Sequence, residues 1–291
     1  MIGIIIHILP QEIDQLEQTL IQLKRNSKYV DNTDFIVEVV LNLNLTDWSK
    51  SKLEKEFFIN KLKQLENLTQ SWANTDFWVS ENNESLGCTD PRRECSKKYN
   101  AKAFIWLDAD IIFSDTLLYH AVESFNTLYS SNPYLIITPE TTRLWDTTWD
   151  VITNEGAFIE EANHHNYFNR DPYLTTGLMG EVELKKIDIF KFAGGWFTLV
   201  SKDLLDKMPI PYEMGPYYLD DTFLMQSCIL GKERGFNATQ YIMTNEVVIE
   251  NNKFRYNPYS NYLSTINKKD EFIKQAQDNF NQSVLNCINK L

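Results

Sequence analysis

The sequence predicts an α/β fold built on a mixed, mostly parallel central sheet flanked by helices. Two observations predict it. Apolar runs of strand length alternate along the first half with stretches of helical periodicity, the order that builds parallel sheets with helices on both faces. One of those runs, Phe104-Ile105-Trp106-Leu107, ends in Asp108-Ala109-Asp110 and turns apolar again at Ile111-Ile112-Phe113. A buried strand that delivers charge to a sheet edge has this form, and ligands of open α/β sheets bind outside the carboxyl ends of strands.

The elements follow in order. Residues 2–9 read as a buried strand closed by Pro10. Residues 11–25 set Ile13, Leu16, Leu20 and Leu23 on one helical face. Residues 34–43 return to strand, with Phe35, Val37, Val39 and Leu41 alternating. Residues 49–68 form a polar amphipathic helix and 75–80 a third strand. Residues 88–101 are polar and partly helical, followed by a strand at 103–108, a helix near 115–129 and a strand at 134–138.

From 140 to 200 the chain is aromatic, with Trp145, Trp149, Tyr167, Phe168, Tyr173 and Trp196, and has no clean helical period. A half-open region over the sheet edge is expected there. Residues 216–235 hold a helix opening near Asp220-Asp221, where acids suit the helix dipole. Residues 269–290 read as a terminal helix. With no internal repeat and no linker, the expected organisation is one domain over 1–240, in halves 1–115 and 116–240, with a C-terminal extension, 241–291, packed on it.

A chain of 291 residues that is 43% hydrophobic can bury a sizeable core. A net charge of −12 works against nucleic acid or an anionic membrane as a general partner. It leaves a local basic groove open, and Lys185, Lys186, Lys191, Lys202 and Lys207 gather in one part of the sequence. The longest apolar run, Ile2 to Leu9, is interrupted by His7 and is too short to span a bilayer, so no transmembrane segment is expected. No basic-then-apolar signal opens the chain. Cys88, Cys95, Cys228 and Cys287 lack zinc-like spacing and read as free thiols of a reducing compartment, hence a cytoplasmic protein.

The chemistry begins at Asp108 and Asp110. Two acids at i and i+2 on a strand end can jointly hold a hard divalent cation, and that cation can hold phosphate. The triplet alone fits a solvated loop equally well. Its neighbours add weight: Gly87 stands five residues before Arg92, and Arg92 sixteen before Asp108. Gly194-Gly195-Trp196 and Asp220-Asp221 follow downstream.

In this order and spacing the chain resembles the family 2 inverting glycosyltransferases of the GT-A fold, over roughly residues 2–235. The resemblance implies transfer of a sugar from a nucleoside-diphosphate sugar, foremost a UDP-sugar, to a hydroxyl acceptor. It implies Mn²⁺ or Mg²⁺ held by Asp110 and Asp108, with Asp108 also near the nucleotide and Arg92 supporting the phosphates. The nucleotide would lie against Leu9 and Pro10, Gly87, and a turn reading Asn42-Leu43-Asn44-Leu45-Thr46-Asp47. The family's usual acids in that turn are Asn42 and Asn44 here. An amide can still read a base edge, since it offers donor and acceptor together.

Asp221 corresponds to the base that takes the acceptor proton. Asp220 would bind the acceptor or hold the helix start, and Gly194, Gly195 and Trp196 would border the acceptor. No His follows Asp221, so an imidazole ligand for the metal would have to come from His164 or His165. The Gln-x-x-Arg-Trp motif of processive synthases is absent, which implies single transfer. The acceptor class stays open among glycan, protein, small molecule and hydroxymethylated viral DNA base. Two other readings use the same acids: a haloacid-dehalogenase-type phosphatase with Asp108 as nucleophile, and a nucleotidyltransferase.

Overall fold

The computed structural model describes residues 1–44, 48–50, 52–81, 87–142, 183–187, 196–250 and 267–291. Its first half is a repeated strand–helix unit. Strand β1 (Ile2–Ile8) leads through helix α1 (Ile13–Ser27) to β2 (Phe35–Asn42), and α2 (Lys55–Thr69) leads to β3 (Asn74–Ser80). Helix α3 (Thr89–Lys98) then returns the chain to β4 (Ala103–Leu107). β2 and β4 pair with β1 on opposite sides, all parallel, and β3 pairs parallel with β2. The chain has therefore moved outward through β2 and β3 and come back to the far side of β1. The junction of β1 and β4 is the topological switch point, where such sheets open a crevice at the strands' carboxyl ends.

After β4 come a two-residue strand β5 (Ile111–Ile112), helix α4 (Leu117–Tyr129), β6 (Leu135–Thr142), β7 (Leu184–Ile187), β8 (Phe197–Ser201) and the short helix α5 (Lys202–Lys207). Helix α6 (Asp220–Lys232), β9 (Thr239–Glu250) and helix α7 (Lys269–Ile288) follow. The sheet order is β3-β2-β1-β4-β8-β6-β9-β5, with β7 also on β9. β8 is antiparallel to both β4 and β6, while β6 and β9 are parallel. Six of the nine strands among the described residues thus run one way, giving the mixed, mostly parallel α/β sheet the sequence predicts.

Alternating apolar residues decide which face each helix covers. Ile4, Ile6, Ile8, Val37, Val39 and Ile105 join Leu16, Leu20 and Leu23 of α1 and Phe58 and Leu62 of α2 in one fully buried cluster. Ile5, Phe104, Trp106 and Val200 face the other way, against Met208, Phe223, Leu224 and Val284. Gly3 is required where it stands, because a Cβ there would lie 2.5 Å from the Phe104 ring.

The helix near 49–68 is shorter than expected, and the helix within 216–235 opens at Asp220, as expected. α2 starts at Lys55, after a 3₁₀ turn at Trp48–Lys50, and α6 ends at Lys232, before Gly235 with φ 84°. Strand β9 was not expected as a strand, and it crosses residue 240, where the extension was expected to begin. Between Pro139 and Glu140 its register against β6 slips, so Met243 and Val247 face neighbouring β6 residues. The bulge leaves Glu246 fully buried, where Thr116 Oγ1 and His120 Nδ1 lie 2.6 Å from its carboxylate and Ser114 Oγ also donates to it. The loop following Asp110 is thereby fastened to β9. The aromatic stretch Trp145, Trp149, Tyr167, Phe168 and Tyr173 lies outside the described residues, as do His164 and His165.

Candidate active site

The carboxyl ends of β1, β2, β3 and β4 fall on one edge. Register aligns them: Ile8 lies opposite Leu41, Asn42 opposite Ser80, and Ile6 opposite Leu107. Leu9-Pro10, Asn42-Leu43-Asn44 and Asp108-Ala109-Asp110 therefore leave the sheet side by side. At the β1 end, the Leu9 N–H donates to Glu12 Oε2 at 2.6 Å, which closes the turn into α1 over buried Pro10.

The β2 end is a tight turn. The Asn44 N–H donates to Asn42 Oδ1 at 2.8 Å, so Asn42 holds the backbone. Asn44 is 3% exposed, its Oδ1 accepts from Asn267 Nδ2 at 3.1 Å, and its own Nδ2 has no hydrogen-bond partner among the described residues. A buried amide donor left without an acceptor is costly and asks for a water or a ligand. The Asn267 N–H also donates to the Asn44 carbonyl at 3.0 Å. Asp47 lies outside the described residues.

At the β4 end, the Asp108 N–H donates to the Trp196 carbonyl at 2.9 Å, which brings the start of β8 to the edge. Trp196 is half-buried and packs against the core. Gly194 and Gly195 lie outside the described residues. The loop past Asp110 is held from below by α1, where Thr19 Oγ1 donates to the Ala109 carbonyl at 2.6 Å and Asn26 Nδ2 to Ser114 O at 3.1 Å.

Arg92 joins this edge to α6. Its guanidinium bonds Asp220 at 3.0 Å and Asp108 at 3.4 Å, and lies 5.4 Å from the centre of the Trp106 ring. Arg92 and Asp220 are nearly buried, whereas 37% of the Asp108 side chain stays open to solvent. Gly87 lies where the α3 entrance meets the segment before Asp220. A Cβ at 87 would meet Tyr217 Cβ at 2.5 Å and Pro216 O at 2.6 Å. The α3 entrance is thus pressed against the segment that leads into Asp220, and the Thr89 N–H donates to Pro216 O at 3.2 Å.

The charges at the edge act on one another. Crowding by protein, with Asp110, Asp220 and Asp221 nearby, pushes the Asp108 carboxyl up to about 7 against the pull of Arg92. Burial and Asp220 raise the Asp221 carboxyl as well. Its Oδ1 accepts from the Thr222 N–H at 2.6 Å. Burial, then Asp220, pushes the Cys88 thiol up to about 12, so it is no nucleophile near neutral pH.

Hard oxygen donors in a field short of positive charge suit a divalent cation. Mg²⁺-type ions are commonly held by one or two carboxylates with substrate phosphates and water. Asp108 and Asp110 fit that role. Among the described residues no group of three or more His, Cys, Asp or Glu could hold a metal ion.

Sequence reasoning missed three parts of this edge. Arg93, adjacent to Arg92, is structural: Nε donates to Ile210 O at 3.1 Å, and its Nη2 donates to Pro211 O at 3.0 Å and to Gly215 O. Tyr217 and Asn267 had no recognisable motif at all. The lysine group disperses: β8 runs against β4, with Ser201 opposite Ala103, so Lys202 and Lys207 begin at the opposite edge from Asp108. Lys185 and Lys186 lie on β7, and Lys191 is outside the described residues. Among the described residues no helix is long and apolar enough to cross a membrane.

No protein-family model matches the chain, and no curated protein sequence does. Solved structures resemble it at low identity. S. aureus TarS is 11% identical, covering 86% of this chain and 36% of its own, with a TM-score of 0.49. TarS 1-349 in complex with UDP-GlcNAc is 10% identical, over 86% and 58%, at 0.47. A mycobacterial protein is 11% identical, over 99% and 75%, also at 0.47. The chain thus spans 36% of the length of the first of these and 58% of the second.

Proposed function

We propose that the chain is a metal-dependent glycosyltransferase. It would move a sugar from a nucleoside-diphosphate sugar, foremost a UDP-sugar, to a hydroxyl acceptor, by inversion and in single transfers. One observation carries the reading. Arg92 joins Asp108, on the strand end at the switch point, to Asp220 of the acid pair opening α6. Residues spaced as in the family motif thereby meet at one edge.

In this reading the β2 turn takes the nucleobase. The orphaned Asn44 Nδ2 would find its acceptor there, with Leu9 and Pro10 beneath the nucleoside. Asp108 and Asp110 would hold Mn²⁺ or Mg²⁺. When bound, the cation supplies Lewis-acid neutralisation of the departing diphosphate. Asp221 accepts the acceptor proton, and burial beside Asp220, which raises its pKa, makes it a stronger base than an ordinary carboxylate. The acceptor oxygen attacks the anomeric carbon as the bond to the diphosphate breaks, with the electron pair leaving on the phosphate oxygen. Asp220, neutralised by Arg92, positions rather than takes protons. Gly194 and Gly195 would border the acceptor.

Two substitutions separate the roles. Asp110→Asn is expected to abolish Mn²⁺-dependent binding of UDP in a thermal-shift titration, where a hundredfold excess over Kd stabilises by roughly 2.7 kcal/mol. Asp221→Asn is expected to keep that shift and lose transfer. Normal turnover in Asp221→Asn, or an undiminished Mn²⁺-dependent shift in Asp110→Asn, would overturn the assignment.

A further inference from the structure

The path into the acid pair is strained. Gly215 takes φ 79°, which glycine adopts freely, but Tyr218 at φ 84° and Leu219 at φ 62° also enter the left-handed region. Bulky L-residues rarely do so, and two in succession carry a conformational cost that the surroundings must hold. They do hold it. Arg93 grips the carbonyls of Ile210, Pro211 and Gly215, while Pro216 is pressed into the space left by Gly87.

The result of this path is the placement of two rings. Tyr217 is half-buried against Gly87, where burial and the charges of Cys88, Glu12, Asp220 and Asp108 raise its hydroxyl to about 12. It therefore stands among the edge residues. Tyr218 stacks on it, with centroids 6.4 Å apart and planes at 27°, and remains 39% exposed. Asp220 and Asp221 follow directly after Leu219. Glycine would follow this path without strain. A tyrosine standing at such a position points to a use for the ring.

We propose that Tyr218, backed by Tyr217, is the stacking wall of the acceptor subsite, and that the acceptor hydroxyl belongs to a pyranose ring. The inference rests on the glycosyltransferase reading and narrows its acceptor. A pyranose has an apolar face of C–H groups and a polar rim. An exposed tyrosine offers a flat apolar body and a polar tip to match. The alternatives fit less well. A DNA acceptor needs a row of cations along the wall; beside it stand Asp220 and Asp221, with Lys269 Nζ 5.9 Å from the centre of the Tyr217 ring, while Lys202 and Lys207 start at the opposite sheet edge. A lipid tail needs a long apolar strip, and only Leu219 separates Tyr218 from the two acids.

The test uses the full chain with Mn²⁺ and the nucleotide sugar selected by thermal shift. The acceptors are methyl glucopyranoside, methyl galactopyranoside and methyl N-acetylglucosaminide, beside a Ser/Thr peptide and a hydroxymethylcytosine oligonucleotide. The parent is expected to glycosylate a pyranoside. Tyr218→Gly is expected to raise the acceptor KM about two- to tenfold, as loss of an aromatic contact does, with UDP affinity and Tm not reduced. Tyr218→Phe should restore most of the acceptor affinity. Transfer only to the peptide or oligonucleotide, or an unchanged KM in Tyr218→Gly, would overturn the inference and leave the glycosyltransferase intact. A fall in Tm in Tyr218→Gly would overturn the argument from strain. A parent that binds no nucleoside diphosphate and transfers nothing would remove both readings.

Discussion

Arg92 and Asp220 stand 128 positions apart and meet at 3.0 Å, both nearly out of reach of water. The guanidinium also reaches Asp108, so one cation serves acids from two elements. Arginine suits this because its planar fork can address two carboxylates at once, whereas lysine presents a single point charge.

Removing that cation strands a buried carboxylate. Arg92→Ala is expected to cost roughly 3–5 kcal/mol in urea unfolding, the range for breaking a buried ion pair from one side. Arg92→Ala combined with Asp220→Asn should recover a good part of the loss. A double variant as unstable as Arg92→Ala would show that the pair is not the source.

Gly87→Ala tests the contact between the α3 entrance and the Pro216-Tyr217 backbone. The added methyl would meet a main-chain oxygen at 2.6 Å, which cannot swing aside as a side-chain tip could. The expected loss is about 1–3 kcal/mol, as for overpacking elsewhere. Transfer should fall with it, because the displaced segment carries Asp220 and Asp221. Full stability in Gly87→Ala would mean the segments separate easily.

Asp108 gives stability a pH dependence of definite sign. Its carboxyl titrates near 7 in the folded chain, against an ordinary value of 3.8, so the folded state holds the proton more tightly than the unfolded one. Stability from this group is greatest below about 4, declines as pH rises through 7 and is level above that. Asp221 is raised and acts in the same direction. In chelator-treated protein, Asp108→Asn should flatten the fall in Tm between pH 4 and 7 and melt above the parent at pH 8. An identical pH profile in the two proteins would refute the shift.

The first four strands were legible because each has a pattern of its own. Ile4, Ile6 and Ile8, or Val37, Val39 and Leu41, announce their burial by periodicity alone. β9 was not, because the bulge places Thr244, Asn245 and Glu246 in mid-strand, where polar residues read as a break. Asp108, Asp110, Arg92 and Asp220 stand out in the sequence because motif spacing marks them. Arg93, Tyr217 and Asn267 owe their roles to contacts across long sequence separations, and local composition carries no trace of those. Two adjacent arginines, one at the acid cluster and one clasping carbonyls, differ only in where the helix turns them.

The edge that carries the candidate chemistry also sets a timetable for the growing polypeptide. Among the described residues β1 to β4 pair with one another and with β8, and could assemble as soon as Leu107 is available. Yet the partners of their loop residues are made much later. The acceptor of the Asp108 N–H is Trp196, the second anchor of Arg92 is Asp220, the acceptor for Ser114 and Thr116 is Glu246, and Asn44 waits 223 positions for Asn267. A ribosome-bound intermediate would therefore display a formed sheet with an unfinished rim, and competence would arrive only once Asn267 has been made.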